Sequence, residues 1–378
     1  MRAALAGSGG KAEAEEAEEA AEGYRARARA RAWGLGAAVF AALAGLEALR
    51  PPLLLVGPAT VDVVHGARRP VRALPAASDP PTPCSTRSAD PGSPPNPNPP
   101  IPPRPAWRRL RRRLADAGIA TAGPQGGAVV YAAAVAKAYG VRACVVTAGG
   151  DDLDRSPFEG HRLKVVETEA SLTFEHSYTF WGNNRKLRVT KRPGRRLSYA
   201  DVPFLCRSAR NVLLGPLTPE DVDMASFAGR GFRRLGLMAQ GMQRTVAEKD
   251  GAVGAMAEPH AALLALLQRD GPHRRATRLF LSDVETLAWT KAALDTVRDA
   301  AGAFIITKGE KGASVVVQDG AGSSLNEIPA VKVEAVDTNG AGDVFATSYM
   351  LEEALGTAAP GEVSQASARG RCRKGAWD

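Results

Sequence analysis

The chain has 378 residues, 44% of them hydrophobic, enough for one large or two ordinary domains around a full apolar core. Its net charge of +9 and pI near 9.6 point to nucleic acid only until the charge is located: ten arginines against two aspartates stand between His65 and Arg113, so nearly the whole excess sits in one stretch. Cysteines at 84, 144, 206 and 372 are too scattered for a Cys-x-x-Cys metal or redox pair and too few for a disulfide scaffold, which makes a reducing compartment the default.

Residues 1–32 are low in complexity, an Ala/Glu run followed by an Arg-Ala repeat, and read as a solvated helix or a disordered tail. The apolar run 33–46 stops at Glu47, short of the roughly 20 residues a membrane-spanning helix needs. The glutamates before it occupy the place of a basic leader region, so no signal peptide is expected. Few aromatics interleave the arginines for base stacking. Neither nucleic acid nor membrane is therefore expected as a partner, cytoplasm is the expected location, and residues 1–50 form an extension.

Leu53-Leu54-Leu55-Val56, closed by Gly57 and Pro58, has the pattern of a buried parallel strand. Asp62 follows it. Ligands of open α/β sheets bind beyond the carboxyl ends of strands, where such a carboxylate can bridge two hydroxyls, although an Asp there also serves as a turn former. From His65 to Pro105 the chain holds 14 of its 27 prolines with almost no periodicity, an insertion (about 65–110) that cannot build a packed core. Gly126-Gly127 then opens a predicted helix over 128–139.

Strands are predicted at 142–148, 163–166, 171–180, 186–190, 211–214, 235–239, 279–281, 303–307, 313–318 and 331–335. Ser282-Asp283-Val284-Glu285 has the spacing of a helix capping box and also presents Glu285 as a water-mediated magnesium group. Thr307-Lys308-Gly309-Glu310-Lys311-Gly312 suits either a hairpin or a nucleotide-contacting turn. Arg244 is either a phosphate contact or a solvated side chain.

Asp337-Thr338-Asn339-Gly340-Ala341-Gly342-Asp343-Val344-Phe345 holds most of the functional information. It lies between the last predicted strand and a predicted helix from 345 to 355. Gly340 and Gly342 leave the backbone bare, so the N–H groups of the first helical turn can converge on an anion with the helix dipole behind them. A carboxylate at Asp343 beside a phosphate cradle suits a general base; a capping role is the plainer reading.

The string Asp-Thr-x-Gly-Ala-Gly-Asp-x-Phe closely resembles the C-terminal signature of the ribokinase-like (PfkB) carbohydrate kinases. Asp62 after the first strand, Gly126-Gly127, Gly149-Gly150-Asp151 and the 307–312 turn resemble further family elements, and Gln240 to Arg244 with Asp250 to Val253 resemble plant inositol kinase-like members. The family often has Asn four residues after the second glycine of the pair, where this chain has Tyr131.

The resemblance implies an α/β, doubly wound, ribokinase-like α/β/α sandwich over 51–358 with a small β lid that the insertion is placed to interrupt, then a basic tail over 359–378 that ends early for the family. It implies ATP-dependent phosphoryl transfer to a hydroxyl of a small sugar or polyol, with inositol favoured. In this scheme Asp343 is the base and Gly340, Ala341 and Gly342 the anion hole. Thr307, Gly309, Gly312, Asn339 and Arg244 meet the nucleotide, Asp62, Gly126 and Gly127 the acceptor, and Glu285 the Mg²⁺. The alternative is a catalytically silent nucleotide- or sugar-binding member. Oligomeric state is open, a homodimer included.

Overall fold

The structure, a computed structural model, describes residues 53–65, 125–178, 185–269, 275–319, 322–330 and 339–356. The expected extension 1–50, the insertion from 66 onward, the strand at 331–335, Asp337, Thr338 and the tail 359–378 lie outside them. All described residues belong to one unit, Pro51–Asp378.

Leu53 to Val56 are all buried, yet they serve two cores. Leu53 and Leu55 join one apolar cluster and Leu54 and Val56 the other, because successive strand side chains leave opposite faces. Such a strand must be covered on both sides. In chain order the strands are β1 (Leu54–Val56), β2 (Thr60–His65), β3 (Gln125–Gly126), β4 (Cys144–Gly149), β5 (Arg162–Glu167), β6 (Leu172–Tyr178), β7 (Arg185–Lys191) and β8 (Asn211–Leu214). They continue with β9 (Arg234–Met238), β10 (Arg244–Val246), β11 (Val253–Ala255), β12 (Thr277–Ser282), β13 (Ala303–Thr307), β14 (Ala313–Asp319) and β15 (Gly322–Ile328).

Nine strands form one sheet in the order β15-β14-β13-β12-β9-β8-β1-β4-β5. From β13 to β5 every pairing is parallel, and β14 and β15 close one side antiparallel. On one face pack α1 (Ala128–Ala138) and, at the end of the described chain, a 15-residue helix (Ala341–Leu355). On the other face lie α2 (Ala261–Arg269), through Leu263, Leu266 and Leu267, and a later helix, Lys291–Ala300, through Val297. A single helical turn, α3 (Asp283–Thr286), separates these two, so Lys291–Ala300 is α4 and the last helix α5. This is the doubly wound α/β/α arrangement expected.

A second sheet, β3-β2-β6-β7, supplies the lid. The strands expected at 171–180 and 186–190 form its β6–β7 hairpin. Asp62 does not sit in a loop after β1 but inside β2, which pairs parallel with β6 and antiparallel with β3. The insertion thus enters the lid between two strands that pair with each other. A two-stranded ribbon, β10-β11, lies beside it.

Cys144 and Cys206 form a disulfide, with Cα atoms 6.0 Å apart. The sequence reading, four cysteines too few for a disulfide scaffold and a reducing compartment by default, did not anticipate this single bond. Their separation of 62 residues hides the fact that β4 and the 3₁₀ turn Phe204–Cys206 meet in one core cluster. Among the described residues, no helix is long and apolar enough to cross a membrane.

Candidate active site

Gly340 is the N-cap of α5, with a left-handed backbone (φ 66°, ψ 6°) and no side-chain cap. The opening N–H groups of any α-helix have no partner within the helix. Gly342 is exposed, and a Cβ there would meet nothing within 4 Å. Asp343 lies in the first turn and is half-buried, with Thr347 Oγ1 donating to its carbonyl at 2.7 Å. Asn339 enters the turn ahead of Gly340.

The Gly126-Gly127 pair stands at the start of α1. A Cβ on Gly126 would lie 2.4 Å from Asp62 Oδ2, and one on Gly127 would lie 2.8 Å from the Pro58 carbonyl oxygen. Gly127 also has φ 97°. The glycines therefore exist here because the Asp62 carboxylate and the chain leaving β1 occupy the space of their side chains. Thr60 Oγ1 donates to Asp62 Oδ1 at 3.2 Å, and His176 Nε2 faces the same oxygen at 3.5 Å.

Tyr131, one turn into α1, connects this subsite to the α5 turn. A Cβ on Gly340 would fall 2.5–2.6 Å from three carbons of the Tyr131 ring. The ring thus lies against the backbone that opens α5, and α1 and α5 pack side by side in the same core. Asp62, Gly126, Gly127 and the 340–343 turn are brought to one place at the C-terminal edge of the parallel strands, where open α/β sheets bind ligands.

The remaining predicted residues line the same edge with other attachments. Glu285 completes the capping box: its Oε2 accepts the Ser282 N–H at 2.7 Å, and its Oε1 accepts Gln240 Nε2 at 2.8 Å. Gln240 Oε1 in turn accepts Arg244 Nη2 at 2.9 Å, and Arg244 Nη1 donates to the Leu217 carbonyl at 3.1 Å. The Arg244 guanidinium lies 5.5 Å from the centroid of the Phe174 ring, so it reaches from the sheet edge to the lid.

Thr307 ends β13, and its hydroxyl donates to the Leu281 carbonyl at 3.4 Å. Gly309 opens the short 3₁₀ turn Gly309–Lys311 between antiparallel β13 and β14. A Cβ on Gly312 would collide with the Ile328 carbonyl, so that glycine meets a packing need of the hairpin whatever else it touches.

Among the described residues no three His, Cys, Asp or Glu side chains group as a metal site. With both Glu285 oxygens already accepting protein hydrogen bonds, a divalent ion here would rely on donor phosphates and water, a pattern that suits Mg²⁺. Below the edge, Asp221 anchors the loop after β8. It accepts the N–H groups of Leu217 and Thr218 and the Thr218 hydroxyl, yet its burial outweighs these bonds and pushes the carboxyl up to about 6.

Two participants escaped sequence reasoning. Gln240, the bridge from Glu285 to Arg244, carries no residue-type signal beyond its place in the 240–244 string. His176 is a lone histidine in a strand, and only the pairing of β6 with β2 sets it beside Asp62.

Residues 271–367 match the family model described as pfkB family carbohydrate kinase. Among curated proteins, none matches the chain significantly. Two solved structures of a pyrophosphate-dependent kinase in the ribokinase family share its fold. The sulfate complex (13% identity) and the complex with a pyrophosphate analog and myo-inositol (15%) each give a TM-score of 0.56 over 86% of this chain and 95% of theirs. A probable sugar kinase from Rhizobium etli aligns at 14% identity and TM-score 0.53, over 85% of this chain and 92% of its own. At such identities the likeness is one of fold. The matches reach the PfkB signature and the ribokinase-like fold, and stop short of the plant inositol kinase-like subgroup.

Proposed function

With a ribokinase-like fold and a C-terminal pfkB-family region as the premise, we propose that the protein is a kinase transferring the γ-phosphoryl group of ATP to a hydroxyl of a small sugar or polyol, inositol or a relative being favoured. One observation carries the reading. Helix α1 begins at the glycine pair beneath Asp62 and, one turn later, lays Tyr131 against Gly340 at the mouth of α5. A hydroxyl-binding carboxylate and an anion-binding helix start are thus held by one rigid element, as in-line transfer between two bound substrates needs.

In the proposed step the Asp343 carboxylate takes the acceptor's hydroxyl proton as its oxygen bonds to the γ-phosphorus. The bond from that phosphorus to the bridging oxygen breaks, and ADP leaves. Backbone N–H groups of Ala341, Gly342 and Asp343 meet charge on the transferring group, with Gly340 holding the turn open. Asp62, Gly126 and Gly127 seat the acceptor, while Thr307, Gly309, Gly312, Asn339 and Arg244 form the donor side. Magnesium, when bound with the donor, would neutralise phosphate charge, and Glu285 would reach it through water.

The experiment is phosphoryl transfer by purified full-length protein from Mg·ATP, and in parallel from Mg·pyrophosphate, to ribose, fructose, adenosine and myo-inositol. Asp343→Asn is the control. Acceptor-dependent transfer from ATP that falls about 10²- to 10⁴-fold in the variant is expected. Folded protein that binds ATP and transfers to no acceptor would leave a silent binding protein; transfer from pyrophosphate alone would replace the donor.

A further inference from the structure

The parallel strands of the large sheet begin together at the edge opposite the candidate site, and arginine marks the entry to most of them. Arg275, Arg233, Arg210 and Arg142, all exposed, stand just before β12, β9, β8 and β4, and the half-buried Arg162 opens β5. In the order β12-β9-β8-β1-β4 the row spans about 19 Å, one strand spacing at a time. Arg207 and Arg230 extend it, their guanidinium groups 5.6 and 4.4 Å from the centroid of the Tyr199 ring. Among the described residues, Arg142, Arg207, Arg230, Arg233 and Arg275 have no ion-pair partner. Of the described carboxylates nearby, Glu353 is clasped by Arg234 and Arg278, Asp201 by Arg195 and Asp299 by Arg298, while Glu159 and Asp223 have no such partner. The edge therefore carries a surplus of positive charge.

Beside this row the 3₁₀ turn Phe204–Cys206 holds two large apolar side chains outward. Phe204 is 83% exposed and Leu205 64%. The backbone beneath them is fixed: Cys206 is buried and bonded to Cys144, the first residue of β4, and Arg207 Nε and Nη2 donate to the Val202 and Ala200 carbonyls at 2.9 and 3.1 Å. The N–H of Arg233 donates to the Arg210 carbonyl at 2.8 Å, which joins the segment after the turn to the row. Adjacent apolar side chains held out of the core and rimmed by cations mark an interaction surface.

We propose that this edge docks on an anionic phospholipid surface. Phe204 and Leu205 enter the boundary between headgroups and acyl chains, and Arg142, Arg207, Arg233 and Arg275 meet lipid phosphates and carboxylates. A nucleic acid would satisfy the arginines but leave Leu205 in water, since it has no ring to stack on a base. A second copy of the chain would set arginine against arginine. At a bilayer surface the apolar pair and the cations are satisfied together, and no spanning helix is required. Docked this way, the candidate site lies at the far ends of the strands, away from the lipid. The inference does not depend on the chemistry of that site.

The test is flotation of the full-length protein with vesicles of phosphatidylcholine alone and with added phosphatidylserine, at low and high salt, with an RNA oligonucleotide as a parallel ligand. Two variants are compared with wild type, and thermal unfolding confirms that each is folded. Phe204→Ser/Leu205→Ser removes the apolar pair. Arg142→Gln/Arg233→Gln/Arg275→Gln removes three cations that form no ion pair in the protein.

Wild type is expected to float with the phosphatidylserine vesicles only, and less at high salt. The triple arginine variant should bind about a hundredfold more weakly, roughly a factor of five for each charge. The Phe204→Ser/Leu205→Ser variant should lose about tenfold and keep its salt dependence. Wild type that stays unbound overturns the proposal, as does binding to the RNA in place of the vesicles. Either folded variant binding vesicles as wild type does also overturns it, because the arginines between His65 and Arg113, or charge alone, would then account for the attraction.

Discussion

The ring of Tyr131 lies flat against Gly340, and a Cβ on that glycine would stand 2.5 Å from three ring carbons or within a tenth of it. Two requirements therefore meet at one residue: a left-handed φ of 66° and the absence of a side chain. Gly340→Ala should lose about 1–2 kcal/mol from the backbone conformation alone and about 1–3 kcal/mol more from overpacking against the ring. Adding Tyr131→Ala should return the second part and leave the first. Denaturant unfolding of the two single variants and the double variant checks this, and a strictly additive result would show that the ring does not press on the turn.

The deep end of α5 is held by charge. Arg278 Nε donates to Glu353 Oε2 at 2.9 Å, Arg234 Nε stands 3.4 Å from the same oxygen, and all three side chains are nearly nine-tenths buried. Removing the carboxylate leaves two buried guanidinium groups without their counter-ion, a loss of about 3–5 kcal/mol. Glu353→Ala should therefore lower the unfolding midpoint sharply, while the acceptor KM of the surviving folded fraction stays unchanged, since the clasp lies at the opposite end of the helix from Gly340. A KM shift larger than the stability loss would place Glu353 in communication with the site.

Much of this was legible in sequence where local pattern and local function coincide. The apolar four-residue runs became parallel strands, and Gly126-Gly127 and Gly340 to Asp343 became helix starts. What stayed hidden depends on pairings between distant segments. Asp62 reads as a post-strand turn residue, yet it is a lid-strand residue because β2 pairs with β6. β15 was missed: its exposed, polar run Gly322–Ile328 gives no apolar signal, and its pairing with β14 comes from the hairpin. The Cys144–Cys206 bond and the His176–Asp62 contact are invisible for the same reason.

That disulfide closes a loop of 62 residues between a sheet strand and a peripheral 3₁₀ turn. Constraining an unfolded loop of this length is worth at most about 4 kcal/mol in the chain-entropy picture. Reduction, or a Cys144→Ala/Cys206→Ala double variant, should lower stability by up to that amount without abolishing ligand binding, because both residues sit in the core cluster on the face opposite α1 and α5. Peptide mapping without reductant should recover the two cysteine peptides joined. Recovery of both as free thiols from native protein would refute the bond.

Two buried groups should give stability an opposed dependence on pH. Burial raises Asp221 from 3.8 to about 6 in the folded protein. The folded form then holds the proton more tightly than the unfolded chain, so its contribution is full below about pH 4 and is lost as pH rises through about 6. A rise of about two units corresponds to roughly 3 kcal/mol. His161 acts the other way. Burial holds its pKa below the usual imidazole value, while Nδ1 accepts the Ala143 N–H at 3.1 Å and Nε2 donates to the Ala133 carbonyl at 2.9 Å. Its contribution is therefore present above about pH 6.5 and lost as pH falls through the lowered folded value. Relative to wild type, Asp221→Asn should gain stability steadily between pH 4 and 6 and hold a constant offset above, since the wild type alone suffers ionisation there. His161→Gln should show its largest deficit near neutrality and a shrinking one on acidification. Urea unfolding of the three proteins at intervals of pH measures both slopes, and an Asp221→Asn difference that does not change with pH would mean that Asp221 ionises in the folded protein as it does in the unfolded chain.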